Sequence, residues 1–184
     1  MSTQALKEWS AAVHAMLDGR QTVLLRKGGI HEKRFALESS EFAFFPTVAH
    51  GHADRVRPEH RDVLAGAADD STEDDVLVRA GATVVAAVEV NDPAGLDSIA
   101  AHHIWTASSV RADRLDFRPK HRLTVLVVSA MPLTEPVRLA RTPAYAGCTS
   151  WVALPFVPAW GDPVHDDSTL EAIAEDVRRS VGRR

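Results

Sequence analysis

A single cysteine, Cys148, stands in the 184 residues, so no disulfide can close within the chain. No apolar run approaches the length of a membrane span or the core of a secretory signal, and the expectation is a soluble, cytoplasmic protein with no membrane partner. Basic charge is not in excess either. Lys and Arg number 21 against 25 Asp and Glu, a formal net charge of −4, which argues against a generally basic nucleic-acid coat. A local patch is still allowed, because fields act locally at physiological salt. Complete catalytic motifs are missing as well. The sequence holds no Gly-x-Ser-x-Gly elbow, no helical H-E-x-x-H and neither a P-loop nor a dinucleotide fingerprint, and it implies no particular cofactor.

What is present is the composition of a globular domain, 45% hydrophobic and 25% charged, and the whole span 1–184 reads as one folding unit. Leu6, Trp9, Val13, Met16 and Leu17 recur at helical spacing, which predicts an N-terminal helix capped by Gly19. Val23-Leu24-Leu25 and Phe42-Ala43-Phe44-Phe45 are apolar on consecutive positions, as strands covered on both faces are. Asp69 to Asp75, nearly all acidic, reads as a solvated loop. A central strand follows over Ala82 to Val90. Asp92-Pro93 and Thr106 then open two short helices, the first with a face of Leu96, Ile99, Ala100 and His103. Leu123 to Ala130 is a β-branched strand, turned by Pro132 to Pro136 onto a partner at Val137 to Leu139, and Trp151 to Leu154 adds a last strand. Ser168 with Glu171 predicts a capping box for a C-terminal helix, about 169–181, buried through Leu170, Ile173, Ala174, Val177 and Val181. The sum is an α+β fold: a curled, mixed, largely antiparallel sheet of about five strands, flanked by helices at both termini.

The stretch with most chemical content is Thr22 to His50. An apolar strand ends there in Arg26-Lys27-Gly28-Gly29, and a second ends in Phe45-Pro46-Thr47. Two cations and two glycines at a strand end put positive charge and open backbone N–H groups in one place, which suits phosphate or carboxylate. The same residues also describe a plain glycine turn with solvated charges. Arg111, Arg114, Arg118, Lys120 and Arg122 form a second basic cluster; set beside Arg26 and Lys27 it would make a track for a phosphate backbone, with Trp105 to stack on a base. The plainer reading has the arginines on a solvated face and the Trp in the core.

Nine histidines include His50-x-His52 and His102-His103. With Glu89 or Asp54 the first pair could build a metal site, although no spacing is that of a known metal motif, and buried or rim histidines fit equally. Glu89 sits on a strand suited to restriction-type nuclease chemistry, but Glu89-Val90-Asn91 carries asparagine where that chemistry wants lysine. Cys148 shows no paired base and reads as packing beside Tyr145 and Trp151.

Four ordered blocks, with an opening that fits as well, resemble the bacterial domain of unknown function 1802 family. The opening is Ala5-Leu6-Lys7-Glu8-Trp9, and the blocks are Arg26 to Ile30, Phe45-Pro46-Thr47 with His50, His103-Ile104-Trp105-Thr106, and Tyr145-x-Gly147-Cys148-x-Ser150-Trp151-Val152. The resemblance covers about 5–154. It implies no activity by itself; an association of that domain with Mrr-type endonuclease domains implies restriction-modification or another transaction on DNA. The site expected from these readings joins Arg26, Lys27, Gly28, Gly29, Pro46, Thr47, His50, His103, Trp105 and Thr106, with no metal assigned. Its leading role is binding nucleic acid or another phosphate-bearing ligand. The rivals are a small metal-dependent hydrolase using His50, His103 and Glu89, and an interaction subunit without a ligand of its own.

Overall fold

Consecutive apolar positions make strands with two covered faces, and β3 (Glu41–Thr47) shows how: Phe42 and Phe44 point into the main core, while Ala43 and Phe45 point into a smaller one behind the sheet. The same alternation divides Ala5 from Leu6 on β1 (Thr3–Trp9). The computed structural model describes residues 1–29, 32–48 and 51–182; Ile30 and His50, both named above, lie outside them.

Chain order continues from β1 into α1 (Ser10–Leu17), β2 (Val23–Lys27) and β3, and then into the short helices α2 (His52–Arg55) and α3 (Val63–Ala67). The long strand β4 (Asp75–Glu89) leads to a 3-10 helix at Pro93–His102. Next come α4 (Ala107–Val110), a wider π-helical turn at Arg111–Asp116, β5 (Leu123–Ala140), β6 (Trp151–Leu154) and α5 (Asp167–Val181). Six strands line up in the order β2-β5-β4-β3-β1-β6, and all neighbours are antiparallel except β1 with β3. The α+β class and the largely antiparallel sheet are as expected, with six strands in place of about five. The ladder is open, with β2 and β6 as free edges, so the curl expected from the sequence is not a closure by hydrogen bonds.

Three further expectations need correction. Leu6 and Trp9 belong to a strand, and the helix starts only at Ser10, because pairing with β3 and β6 on both sides outweighs a spacing that also fits a helix. Pro132 and Pro136 do not end β5. They flank the register shift opposite Val78–Ala80, where residues 133–136 leave the ladder and no proline N–H is missed. That excursion is used: Thr134 donates its N–H to Ala159 O at 2.9 Å, and Gly161 donates to Pro132 O at 2.8 Å. Asp70, inside the presumed solvated loop, is fully buried, held by Arg79 Nε at 2.8 Å and by His14 Nε2 at 2.6 Å. Burial pushes its carboxyl up, but these two partners more than offset that and leave it below the ordinary range.

α5 is capped by Asp166, whose carboxylate accepts from Thr169 N–H at 2.7 Å, two residues before the predicted Ser168 cap. Its buried face of Leu170, Ala174, Val177 and Val181 is the predicted one. Asp92 and Thr106 cap their helices as read, accepting from Ala94 N–H and Ser109 N–H at 3.2 Å each. Among the described residues no helix is long and apolar enough to cross a membrane.

Candidate functional site

β1 and β3 run parallel with Glu8 beside Pro46 and Trp9 beside Thr47, so both strands deliver polar residues to one end of the sheet. Arg26 joins them from β2. Its Nη1 donates to Lys7 O at 3.1 Å and to Glu8 Oε2 at 3.2 Å, and Thr47 Oγ1 donates to Glu8 O at 3.2 Å. Glu8 is 5% exposed and the Arg26 side chain 13%, which makes this a largely desolvated pair rather than a solvated surface bridge. Arg26 Nε is buried with no acceptor among the described residues.

Next to Glu8, the Trp9 ring is the hub. Trp105 meets it edge-on at 4.8 Å and His52 at 4.6 Å, while the guanidinium groups of Arg55 and Arg114 lie over it at 5.4 and 5.8 Å. Arg55 Nε also donates to Asp113 at 2.8 Å. Burial, helped by Arg55, pushes the His52 imidazole below its ordinary value. Burial likewise lowers Arg114, with Glu8 opposing the shift and Arg26 adding to it; an arginine remains a cation regardless. The hollow between Trp9, Trp105, Asp113 and Arg114 measures only about 10 Å³, room for one water.

The expected residues therefore divide. Arg26 and Thr47 meet at Glu8, and Trp105 packs on the adjoining Trp9 with Thr106 next to it in sequence, but Trp105 is 6% exposed and offers no free face to a base. His103 is buried, its Nδ1 accepts Trp105 N–H at 3.1 Å, and burial pushes it down to about 3, so it is a neutral core histidine. Pro46 is buried in the ladder. Gly28 has a steric reason: a Cβ there would lie 2.1 Å from Glu32 O and 2.7 Å from Arg34 N, and backbone cannot step aside. Gly29 has open space around it. Glu89, wanted by the hydrolase reading, is taken by Arg122 at 2.6 Å and Arg34 at 3.4 Å.

Two larger hollows flank the Gly28-Gly29 corner. One, of about 250 Å³, is lined by Lys27, Arg114, Lys120, His121 and Arg122, so the second basic cluster does sit beside the β2 terminus. Lys27 donates to the carbonyls of Phe117 and Arg118, the latter at 2.9 Å. Burial, with Arg114 and Arg118 nearby, lowers its ammonium from the ordinary value. The other, of about 410 Å³, lies between Gly29, Phe35 and the Cys148–Trp151 segment, with Glu32 and Glu38 on its rim. Phe35 and Trp151 stack at 6.0 Å there, and Arg26 covers Phe35 at 5.3 Å. Cys148 is exposed on this groove rather than packed beside Tyr145. The larger groove carries acids and the smaller one cations, so it is the smaller that suits an anion. Two residues of this neighbourhood give little sign of their roles in sequence. Glu8 follows Lys7 in a strand of mixed polar and apolar residues, and Phe117 is a lone aromatic among charged residues, exposed in the structure.

A family model described as Domain of unknown function (DUF1802) matches residues 5–176. The chain belongs to that family. The match takes in every block named from the sequence and most of α5. Among solved structures, ASCH from Zymomonas mobilis is 11% identical with a TM-score of 0.43, over 98% of this chain and 96% of that one. A point variant of the same protein gives 14% identity and a TM-score of 0.44 over 94% of each chain. No curated protein matches.

Proposed function

We propose that this member of the family is a phosphate-recognising, nucleic-acid-binding module, acting in the cytoplasm as an accessory to a DNA transaction such as restriction-modification. One observation carries the reading: Lys27, Arg114, Lys120 and Arg122 share a single hollow in a protein whose net charge is −4. Cations gathered against the overall balance concentrate attraction at one place on the surface, which is what a polyanion needs. Lys120 has no carboxylate partner among the described residues, and of the four only Arg122 is directly paired to one, Glu89. The family blocks fit this scheme as scaffold. Glu8, Arg26, Thr47 and Trp105 fix the strand ends from which Lys27 reaches, and Gly28 lets the next segment pass close behind.

Anisotropy of labelled oligonucleotides across 50–200 mM salt tests it. Each phosphate contact contributes a log–log slope of about −0.9 on duplex DNA and about −0.7 on single strands. Binding should weaken steeply with salt, and Lys120→Ala should flatten the slope by roughly one contact. Affinity indifferent to salt, or none for any nucleic acid, defeats the proposal.

A further inference from the structure

Phe117 is 56% exposed and is the one large aromatic on the exposed surface among the described residues. Loops often shed such a residue into the core, yet here the backbone holds it out. Phe117 N–H donates to Ala112 O at 3.1 Å, closing the wide turn of Arg111–Asp116, and Lys27 donates to the carbonyls of Phe117 and Arg118. His121 N–H caps the Arg118 carbonyl at 2.9 Å. Arg118 itself sits at φ +50°, the only non-glycine residue in the left-handed region among those described. Its guanidinium lies over the Phe117 ring, 4.9 Å from the centroid. A strained residue persists where its surroundings over-determine it, and such places gather at binding sites. Here the constraint holds an apolar ring in water, at the head of the loop whose next residues, Pro119, Lys120, His121 and Arg122, line the basic hollow.

A base within a duplex already has both faces stacked and cannot use such a ring, whereas an unpaired base can. Resting on the nucleic-acid reading above, we propose that Phe117 is a stacking platform for one unpaired base, so that the preferred ligand is single-stranded nucleic acid. The flanking phosphate sits in the hollow of Lys27, Lys120 and Arg122. Arg118 serves both parts, as a cation beside the phosphate and as a plane against the ring.

The test uses the full chain with labelled 12-mer oligoadenylate, as DNA and as RNA, and the matching DNA duplex. Single strands should bind more tightly than duplex. Phe117→Ala should weaken single-strand binding roughly tenfold, within the range alanine substitution gives for one stacked base, and leave duplex binding unchanged. Phe117→Trp should restore the affinity, and its added emission should be quenched on binding beyond the change in the parent protein. Phe117 is exposed, so the variants should keep the parent's melting temperature, which a thermal melt checks. Equal single-strand affinity for Phe117→Ala and parent, or an equal loss on duplex, overturns the platform while salt-dependent binding leaves the broader reading standing. Absence of binding by the parent removes both.

Discussion

Arg26 of β2 and Glu8 of β1 meet at 3.2 Å, although β5, β4 and β3 lie between their strands in the order of the sheet. The contact, with the bond from Arg26 Nη1 to Lys7 O, ties the first strand of the ladder to the fifth without any strand pairing. It also places a carboxylate under the strand end that bears the cations, so Arg26 is neutralised from below while Lys27 remains turned to the basic hollow.

That pair should behave as a unit. Removing one partner of a buried ion pair strands the other charge and costs about 3–5 kcal/mol, whereas replacing both by apolar residues of similar size is often close to neutral. Glu8→Met and Arg26→Met should each lower the urea midpoint strongly, and the double variant should lose much less than the sum, with a coupling of about 1–3 kcal/mol. Strict additivity in denaturation curves would show that the two side chains stabilise the fold independently.

Lys27→Met keeps the stem and removes the donor to two carbonyls. Both carbonyls border solvent, so water replaces the ammonium and global stability should fall by only about 1 kcal/mol. The local effect should be larger. Amide exchange at Phe117 and His121, whose N–H groups close this loop, should quicken about tenfold while Val127 in β5 keeps its protection. Unchanged exchange at those amides would mean that the turn at Arg118 holds itself.

Stability should fall with acid in a window set by His103. Its folded value is pushed down to about 3 from an ordinary 6.5, so between those limits the unfolded chain binds a proton that the folded chain refuses. The native state is therefore at full advantage above pH 6.5 and loses it progressively on acidification towards 3, by roughly 2 kcal/mol between pH 6.5 and 5. His52 and His60, also lowered chiefly by burial, add in the same direction. His103→Asn retains an acceptor for Trp105 N–H without the titration. Denaturation at pH 6.5 and 5 should show a smaller loss for this variant, and equal losses would remove His103 from the account.

Much of the fold is legible in the chain because it is written locally. The apolar runs at Val23 and Phe42 give β2 and β3, and the 3.6-residue period of Leu170, Ala174, Val177 and Val181 gives the buried face of α5. β1 is not legible, since Leu6 and Trp9 fit either period and only the flanking β3 and β6 choose between them. Asp70 is hidden for the same reason: its partners His14 and Arg79 lie on other elements, and nothing beside it in sequence announces them. At the site, the cations of Arg26, Lys27 and the 111–122 segment stand out in the sequence. Which of them are neutralised does not, because Glu8 and Glu89 come from elsewhere in the chain.

Two hydrogen bonds tie the neighbourhood of the aromatic groove to the lining of the basic hollow. Gly29 and Phe35 line the aromatic groove, and the same stretch is laced to the approach of β5 by His121 Nδ1 on Gly28 O at 3.3 Å and by Arg122 N–H on Lys33 O at 2.7 Å. A shift of His121 and Arg122, which line the basic hollow, is thereby passed to Gly28 and Lys33 at the edge of the groove.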